Sequence, residues 1–521
     1  MSPGGTGAAR PLADTRATGA LETSSWDLIV IGGGITGAGI LCEAARAGLR
    51  VLLVEQGDFA SGTSSRSSKL VHGGLHYLAR LDVALALEAI RERDRLLTSH
   101  ADLVRRIDVA VPMLAGSSHS NPLLMGMLLT AYGLLAGGRA HRNEQLIPAR
   151  ARRRWSPPWP AGAPEADPAI RSVFQYSDGQ TDDAGLVLRI LGEGVEAGGV
   201  ARNYTRVQRL MRDASGFVRG VRVCDVETGA SAHVLGRVVV NAAGPWSDQI
   251  RGPLSGANRL RLVRGSHLVL PWRRLPLATA VAYLRPSDGG AVIMVPWKGV
   301  TLVGGTVVEH GACPGEAVIS EGEVHTLLDD IRRVFPHAGI GPGDIQATFS
   351  ACRPLVDATG VSAATASRRD AVWEEHGLIT VAGGKLTTFR AMARRTLDLA
   401  RPRLPDFAFV DAGNPRPAAG AAEVGEGPGL HQKARLHRLA AELAWCARHE
   451  GVRHLGDLLL RRTRIGFTAP QGGVDLLPPL APMLMESLGW DQERWIRETS
   501  RYQEEWLRTM GPPGGWDRIA G

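Results

Sequence analysis

The chain has 521 residues, 44% hydrophobic and 21% charged, the composition of a globular protein too long for one core and sized for two or three domains. Its formal net charge of +8 at pH 7 is spread along the chain rather than gathered into a basic stripe interleaved with aromatics, which argues against nucleic-acid binding and leaves an anionic substrate or membrane surface. The five cysteines (42, 224, 313, 352 and 446) are scattered, with no CxxC pair, so reduced thiols in a cytoplasmic protein are expected, with no metal site and no disulfide framework.

Residues 1–25 are rich in Gly, Ala, Thr and Ser with no apolar h-region, so a disordered tail is expected rather than a secretory signal. Asp27 to Ile31, DLIVI, reads as a buried parallel strand. GGGITG follows, placing Gly32, Gly34 and Gly37 in GxGxxG spacing. A helix from Gly39 to Ala47 ends at Gly48, and a second strand runs from Arg50 to Val54 with Glu55 at its end, 18 residues beyond Gly37. In that context the glycines let backbone approach a pyrophosphate at a helix N-terminus, and Glu55 can accept hydrogen bonds from ribose hydroxyls.

Residues 61–80 read SGTSSRSSKLVHGGLHYLAR. Only four of the 60 basic residues are lysines, and two of them, Lys69 and Lys385, sit in Gly/Ser-rich loops. Pro122 to Gly137, PLLMGMLLTAYGLLAG, falls short of the roughly 20 residues of a membrane span. It is expected to be a buried helix, with a monotopic membrane contact as the other reading.

Two later joints repeat the first. Arg237 to Asn241 is a strand followed by the turn Ala242-Ala243-Gly244-Pro245-Trp246. Gly377 to Val381 is a strand followed by Ala382-Gly383-Gly384-Lys385-Leu386-Thr387-Thr388 and a helix. Three such joints suggest one ligand approached by backbone from several sides. The β-rich pieces Gly220–Val226, His267–Leu270, Ala291–Val295 and Thr301–Gly304 read as an inserted, mostly antiparallel substrate domain. Residues 401–429 read as a linker and 430–521 as a small helical domain.

With DLIVIGGGITGAGI, GDFASGTSSRSSKLVHGGLHYL, YSDGQTDDAGLV, NAAGPWSD, RGSHLVLP, SACRPLVD, GGKLTTFR and the C-terminal DLLLRRTRIG and LGWD in order, the chain from about residue 26 onward resembles the FAD-dependent glycerol-3-phosphate dehydrogenases. These are a branch of the glycine/D-amino-acid-oxidase-like flavoproteins. The resemblance implies an α/β fold: an FAD-binding Rossmann-like (glutathione-reductase-type) domain, an inserted mixed or antiparallel β substrate domain and a C-terminal helical domain. The FAD-binding parts would cover about 26–115, 175–250 and 350–400, and the substrate-domain parts about 116–174 and 251–349.

The resemblance also implies non-covalent FAD held by Gly32, Gly34, Ile35, Thr36, Gly37, Glu55, Gln56, Thr63, Ser64, Ser65, Ser68, Lys69, Leu70, Val207, Ala243, Gly244, Trp246, Gly384, Lys385, Leu386 and Thr387. Oxidising a secondary alcohol needs a hydride acceptor, which the flavin supplies, and a base for the hydroxyl proton. His72 is the first candidate for base and His267 the second. Lys385 would stabilise charge on the reduced flavin. Arg353 would bind a substrate phosphate, with His76, Tyr77 and Thr388 as further substrate contacts.

Two positions depart from the family pattern. His76 stands where HGGLRYL would place an arginine, and Val307 stands where GTTD would place an acid. The expected activity is oxidation of sn-glycerol 3-phosphate to dihydroxyacetone phosphate with electrons passed to a quinone. The alternative is a related flavin oxidoreductase acting on another small hydroxy or amino compound, with oxygen or another acceptor. The protein is expected to be cytoplasmic, with a peripheral membrane contact on the inner face as an option. Arg461-Arg462-Thr463-Arg464 reads either as a lipid-binding patch or as a solvated or domain-packing face.

Overall fold

The structure, a computed structural model, describes residues 12, 18–22, 24–115, 121–137, 144–146, 170–255, 258–311, 313–356, 370–410 and 432–513. Its first sheet runs in the order Ala371–Glu375, Leu378–Ala382, Ser231–Asn241, Trp26–Ile31, Val51–Val54 and Val200–Arg202. All neighbours are parallel except at the Ala371–Glu375 edge. Leu28, Ile29 and Val30 have no exposed surface, as an apolar run does at the centre of a sheet covered on both faces.

The register puts Ile31 opposite both Asn241 and Val54, and Asn241 opposite Thr380. The three glycine joints therefore leave the same edge of the sheet side by side, at the carboxyl ends of its strands, where α/β sheets bind ligands.

Helix Ile35–Arg46 packs between helices Asp183–Glu196 and Phe389–Ala400. Small residues permit the close crossings. A Cβ on Gly39 would lie 2.6 Å from the Phe389 ring, and one on Gly194 would lie 3.1 Å from Cys42 Cα. Gly48 ends the first helix in the left-handed region at φ 81°, as its sequence position predicts.

The second sheet is ten-stranded and mostly antiparallel. Its backbone is the long strand Leu260–Pro271, paired along its length with Ala347–Val356. It continues through Val300–Gly304, Ala291–Trp297 and Ala280–Leu284 to Val104–Leu114 and Ile170–Thr181. Helix Glu321–Val334 covers one face with Val324, Leu327, Leu328 and Ile331.

Three boundaries differ from the sequence reading. Residues 104–114, 175–181 and 350–356, assigned to the FAD-binding parts, are strands of the second sheet, because Val104–Leu114 and Ile170–Thr181 pair only with each other and with that sheet. The Gly220–Val226 piece, read as substrate domain although it lies within the 175–250 FAD-binding part, belongs with the latter: Val218–Asp225 forms an antiparallel flap on the first sheet with Thr205–Arg212 and the start of Ser231–Asn241. The tail is docked at two points before residue 25. Leu12 N–H donates to His449 O at 2.9 Å, and Leu21 is buried beside Trp26 at the end of the short turn Thr18–Leu21. Apolar side chains there find surface to cover.

The apolar segment Pro122–Leu135 is a helix, but it is buried on one side only. Leu129 and Tyr132 face the protein, while Leu123, Leu124, Met127 and Leu134 are 74, 60, 56 and 76% exposed.

Helices Gln432–His449, Leu477–Leu488 and Gln492–Met510 build the C-terminal unit. Its core (Leu443, Leu459, Tyr502, Trp506) runs without a break into Val269, Trp297 and Phe349 of the second sheet. The Arg461–Arg464 cluster faces inward, which rules out its lipid-binding reading. Arg462 forks onto both oxygens of Asp58 at 2.7 and 2.8 Å, Arg461 shares Asp58 and reaches Asp457 at 2.7 Å, and Arg464 reaches Asp183 at 3.0 Å. Burial pushes the Asp58 carboxyl up, but Arg462 and Arg461 outweigh it and hold it down to about 2.

Asp183 also accepts Lys69 Nζ on both oxygens at 2.8 Å and the Ser67 N–H at 2.9 Å. Removing one partner of a fully buried pair leaves an uncompensated charge. Asp183→Ala should therefore lower unfolding free energy by roughly 3–5 kcal/mol, read from urea midpoints at pH 7. A midpoint equal to wild type would mean that water or another group satisfies Lys69 and Arg464.

Candidate active site

The three joints and the loop 61–68 enclose a cleft of about 890 Å³ between the two sheets. Its cofactor arm begins at Gly32, whose φ of 113° and whose approach to Ala242, with a Cβ only 2.5 Å from the carbonyl oxygen, require glycine. Ser64 Oγ accepts the Ile35 N–H at 3.0 Å at the start of the first helix. Glu55 is fixed by two backbone donors, Gly33 N–H at 2.7 Å and Gly57 N–H at 2.9 Å. Burial pushes its carboxyl up, against the pull of those bonds. Ile35, Thr36, Gln56, Thr63, Val207, Ala243, Gly244 and Trp246 line the same arm.

At the far end, Gly383 and Gly384 both have left-handed backbones, and Gly384, Lys385, Leu386 and Thr387 line the cleft with Ser68 and Leu70. Backbone exposed at three glycine joints, a helix N-terminus and an anchored carboxylate on the neighbouring strand end are the donor set and shape a flavin dinucleotide needs, so these residues fit FAD.

The reaction end gathers His72, Tyr77, Lys385, Arg353 and Val307. Lys385 Nζ lies 3.5 Å from His72 Nε2 and 4.0 Å from the centre of the Tyr77 ring. Thr387 Oγ1 donates to His72 O at 3.5 Å. Arg353 lies against Gly265, where a Cβ would sit 2.9 Å from Nη2, so the glycine of RGSH makes room for the guanidinium.

Five expected residues do not line the cleft. Gly37 lies beneath it, with room for no side chain because a Cβ would sit 1.9 Å from Gly32 O. Ser65 is buried and turns its carbonyl to Lys69 at 2.8 Å. Lys69 is wholly buried on Asp183. Burial and Arg464 push its amine down to about 7, against Asp183. Thr388 is buried with its hydroxyl on Lys385 O. His267 lies behind Ser68, 2.9 Å from its Oγ and stacked 4.6 Å from Phe349. Burial, then Arg353 and Lys69, hold its imidazole down to about 3, so it stays neutral. The His76 side chain lies outside the described residues.

Asp178, within YSDGQTDDAGLV, escaped the sequence reading. It lines the cleft and accepts the Gly73 N–H at 3.0 Å, fixing the turn after His72. Arg93, bonded to Tyr132 OH at 2.8 Å, reaches the same oxygen at 3.3 Å. Burial pushes the Asp178 carboxyl up to about 6, against Arg93. Its partner lies 85 residues away, which leaves no local signal.

Residues 27–399 match the family described as FAD dependent oxidoreductase, and 420–495 match the C-terminal domain of alpha-glycerophosphate oxidase. The chain is 33% identical over 387 residues to an aerobic glycerol-3-phosphate dehydrogenase of Staphylococcus haemolyticus, covering 74% of this chain and 68% of that one. It is 34% identical over 390 residues to that of Staphylococcus aureus, with the same coverages. The fold is similar to the glycerol-3-phosphate dehydrogenase of Bacillus halodurans complexed with FAD, at TM-score 0.71 and 25% identity over 94% of this chain and 96% of that one. The FAD-bound L-alpha-glycerophosphate oxidase of Mycoplasma pneumoniae shares the fold at TM-score 0.55 and 19% identity, over 75% and 98% of the two chains. The glycine joints, the anchored Glu55 and the His72–Lys385–Arg353 wall are thus features of a chain that belongs to the FAD-dependent oxidoreductases, in their glycerol-3-phosphate dehydrogenase branch.

Proposed function

We propose that this protein oxidises sn-glycerol 3-phosphate to dihydroxyacetone phosphate and passes the electrons to a membrane quinone. The observation that carries the reading is one wall holding a histidine, a lysine and an arginine where the cofactor arm ends. Bound flavin supplies a hydride acceptor at N5. His72 Nε2 takes the hydroxyl proton as the hydride departs, since a neutral imidazole can do this near pH 7. Lys385 sits against the same nitrogen and over the Tyr77 ring, which fixes the pair's geometry, and its ammonium would stabilise the negative charge of the reduced flavin. Arg353 offers its fork to the phosphate. Asp178 keeps the His72 turn in place through Gly73.

Val307 on the cleft wall, where the family pattern has an acid, favours a second reading: a related oxidase or dehydrogenase for another small hydroxy or amino compound. Quinone access is supported by the apolar end of the cleft. Val109, Val111, Met113, Met125, Leu128 and Ile293 line it, and Met125 and Leu128 belong to the helix whose other face exposes Leu123, Leu124 and Met127. No described helix is long and apolar enough to cross a membrane. The exposed leucines and methionine of this helix support an interfacial membrane contact.

Mixing the FAD-loaded protein anaerobically with sn-glycerol 3-phosphate should bleach the flavin absorbance within the turnover time. A flavin that dithionite reduces but this substrate does not would transfer the reading to the hydroxy or amino compounds, tested next as a panel.

In His72→Ala the flavin should stay bound while substrate reduction falls by about 10²–10⁴, the usual worth of a general base. In His267→Gln the acid limb of the rate profile should keep its midpoint, because His267 is already neutral throughout. A displaced limb would reverse the two roles.

Replacing Leu123, Leu124 and Met127 by Ser should weaken binding to anionic vesicles by at least about tenfold, since burying even one leucine is worth about 1.5–3 kcal/mol. Unchanged vesicle binding with an unchanged melting temperature would remove this helix from the membrane face.

A further inference from the structure

Four arginines on the cleft wall have no part in the chemistry above: Arg66, Arg80, Arg206 and Arg508. Arg66 stands in the middle of the loop 61–68, and Arg508 stands in the last turn of helix Gln492–Met510. They differ from the other arginines of the C-terminal unit, where Arg461, Arg462 and Arg464 all close on carboxylates. Among the described residues neither Arg66 nor Arg508 makes a side-chain hydrogen bond or an ion pair. The carboxylate beside them on the same wall, Glu505, is turned to Arg461 at 3.9 Å.

We propose that Arg66 and Arg508 form a phosphate-binding corner of the cleft, separate from Arg353. Two guanidiniums approaching one cavity from different elements match a tetrahedral oxyanion, which each can meet with paired N–H donors. Burial pushes the Arg66 guanidinium down to about 10, and the nearby charges of Arg461, Arg508 and Arg464 add to that against Glu505 alone. The corner therefore carries an excess of positive charge in a partly desolvated place, and a bound anion would relieve it.

Its separation from Arg353 follows from strand alternation. In Ala347–Val356, Arg353 lies against Gly265 and Gly305, while its neighbour Cys352 projects to the opposite face, where the loop carrying Arg66 is tied to the strand by the Thr63 hydroxyl on Cys352 O at 2.6 Å. The two cationic sites thus flank one strand. The phosphate could come from the dinucleotide's own pyrophosphate or from a phosphate compound in solution. Phosphate binding at this corner requires no particular alcohol substrate at the reaction end.

The test uses full-length, FAD-loaded protein in an Arg353→Gln background, so that the other guanidinium contributes nothing. Binding of inorganic phosphate is measured by calorimetry, and FAD affinity by release of flavin fluorescence on dilution, with and without Arg66→Gln plus Arg508→Gln. A solution-phosphate site predicts that phosphate affinity falls by about tenfold or more, the loss expected for removing charge-assisted hydrogen bonds, with FAD affinity unchanged. A cofactor-phosphate site predicts that FAD affinity falls by a similar factor and that the holoenzyme takes up no phosphate before or after substitution. Both affinities unchanged overturns the proposal. If the double variant does not fold, Arg508→Gln alone, on an exposed residue, is put through the same two measurements. Failure of that variant to shift either one overturns it equally.

Discussion

One carboxylate holds the working parts of this molecule together. Asp183 takes the Lys69 ammonium on both oxygens, the Arg464 guanidinium, and the Ser67 N–H and hydroxyl. Lys69 and Ser67 belong to the loop that lines the cleft, Asp183 opens the helix that packs on the dinucleotide-binding helix, and Arg464 comes from the C-terminal unit. Around the ammonium stand the rings of Trp297, Phe349 and Phe467, each about 5 Å from it by centroid. Two of these rings come from the second sheet and one from the C-terminal unit. The cofactor loop, the substrate sheet and the helical unit therefore share a single buried charge cluster. None can shift without exposing or unpairing an ion, at a cost of several kcal/mol.

This arrangement explains why a polar loop can be rigid. A run of serines with one lysine has little apolar surface to hold it, and left to solvent it would be mobile. Tying it from below leaves its upper side free. Thr63, Ser64 and Ser68 line the cleft, while Ser65 and Lys69 face the anchor and Ser67, also on the cleft wall, turns its hydroxyl to Asp183. Preorganised hydroxyls cost a bound cofactor no loop ordering.

The division within that loop marks the limit of what the sequence discloses. Strand–glycine–helix joints are local, so their existence and even their shared ligand were legible from residues 26–55, 237–246 and 377–388. Only the register showed that they emerge side by side. The role of Lys69 was not legible, because an isolated lysine among serines looks the same whether it meets a ligand or an aspartate 114 residues away. The same holds for Arg461 and Arg462, whose common partner Asp58 lies some 400 residues earlier. The apolar run 122–135 failed for a different reason. Periodicity cannot separate a buried helix from one exposed on a single side when every residue is uncharged. For His267 the strand assignment was sound, but strand alternation alone could not say whether its face met the cleft or the Phe349 ring.

The placement of charge completes the argument. Every acid near the cleft is spoken for by backbone or arginine: Glu55 by Gly33 and Gly57, Asp178 by Gly73 and Arg93, Glu505 by Arg461. The cations facing the cavity include Arg66, Lys385, Arg353 and Arg508, from four separate segments of the chain. A cavity with neutralised acids and converging cations has a positive interior inside low-dielectric walls. That field attracts an anionic ligand and raises its encounter rate. Lys385 adds a fixed cation to that field, which favours whatever state places negative charge beside it and needs no rearrangement to do so. The same buried anchor that makes the loop rigid thus holds the loop that carries Arg66 and, through Arg464, the unit that carries Arg508. Loosening Asp183 should disperse the field before it disturbs any residue that touches substrate.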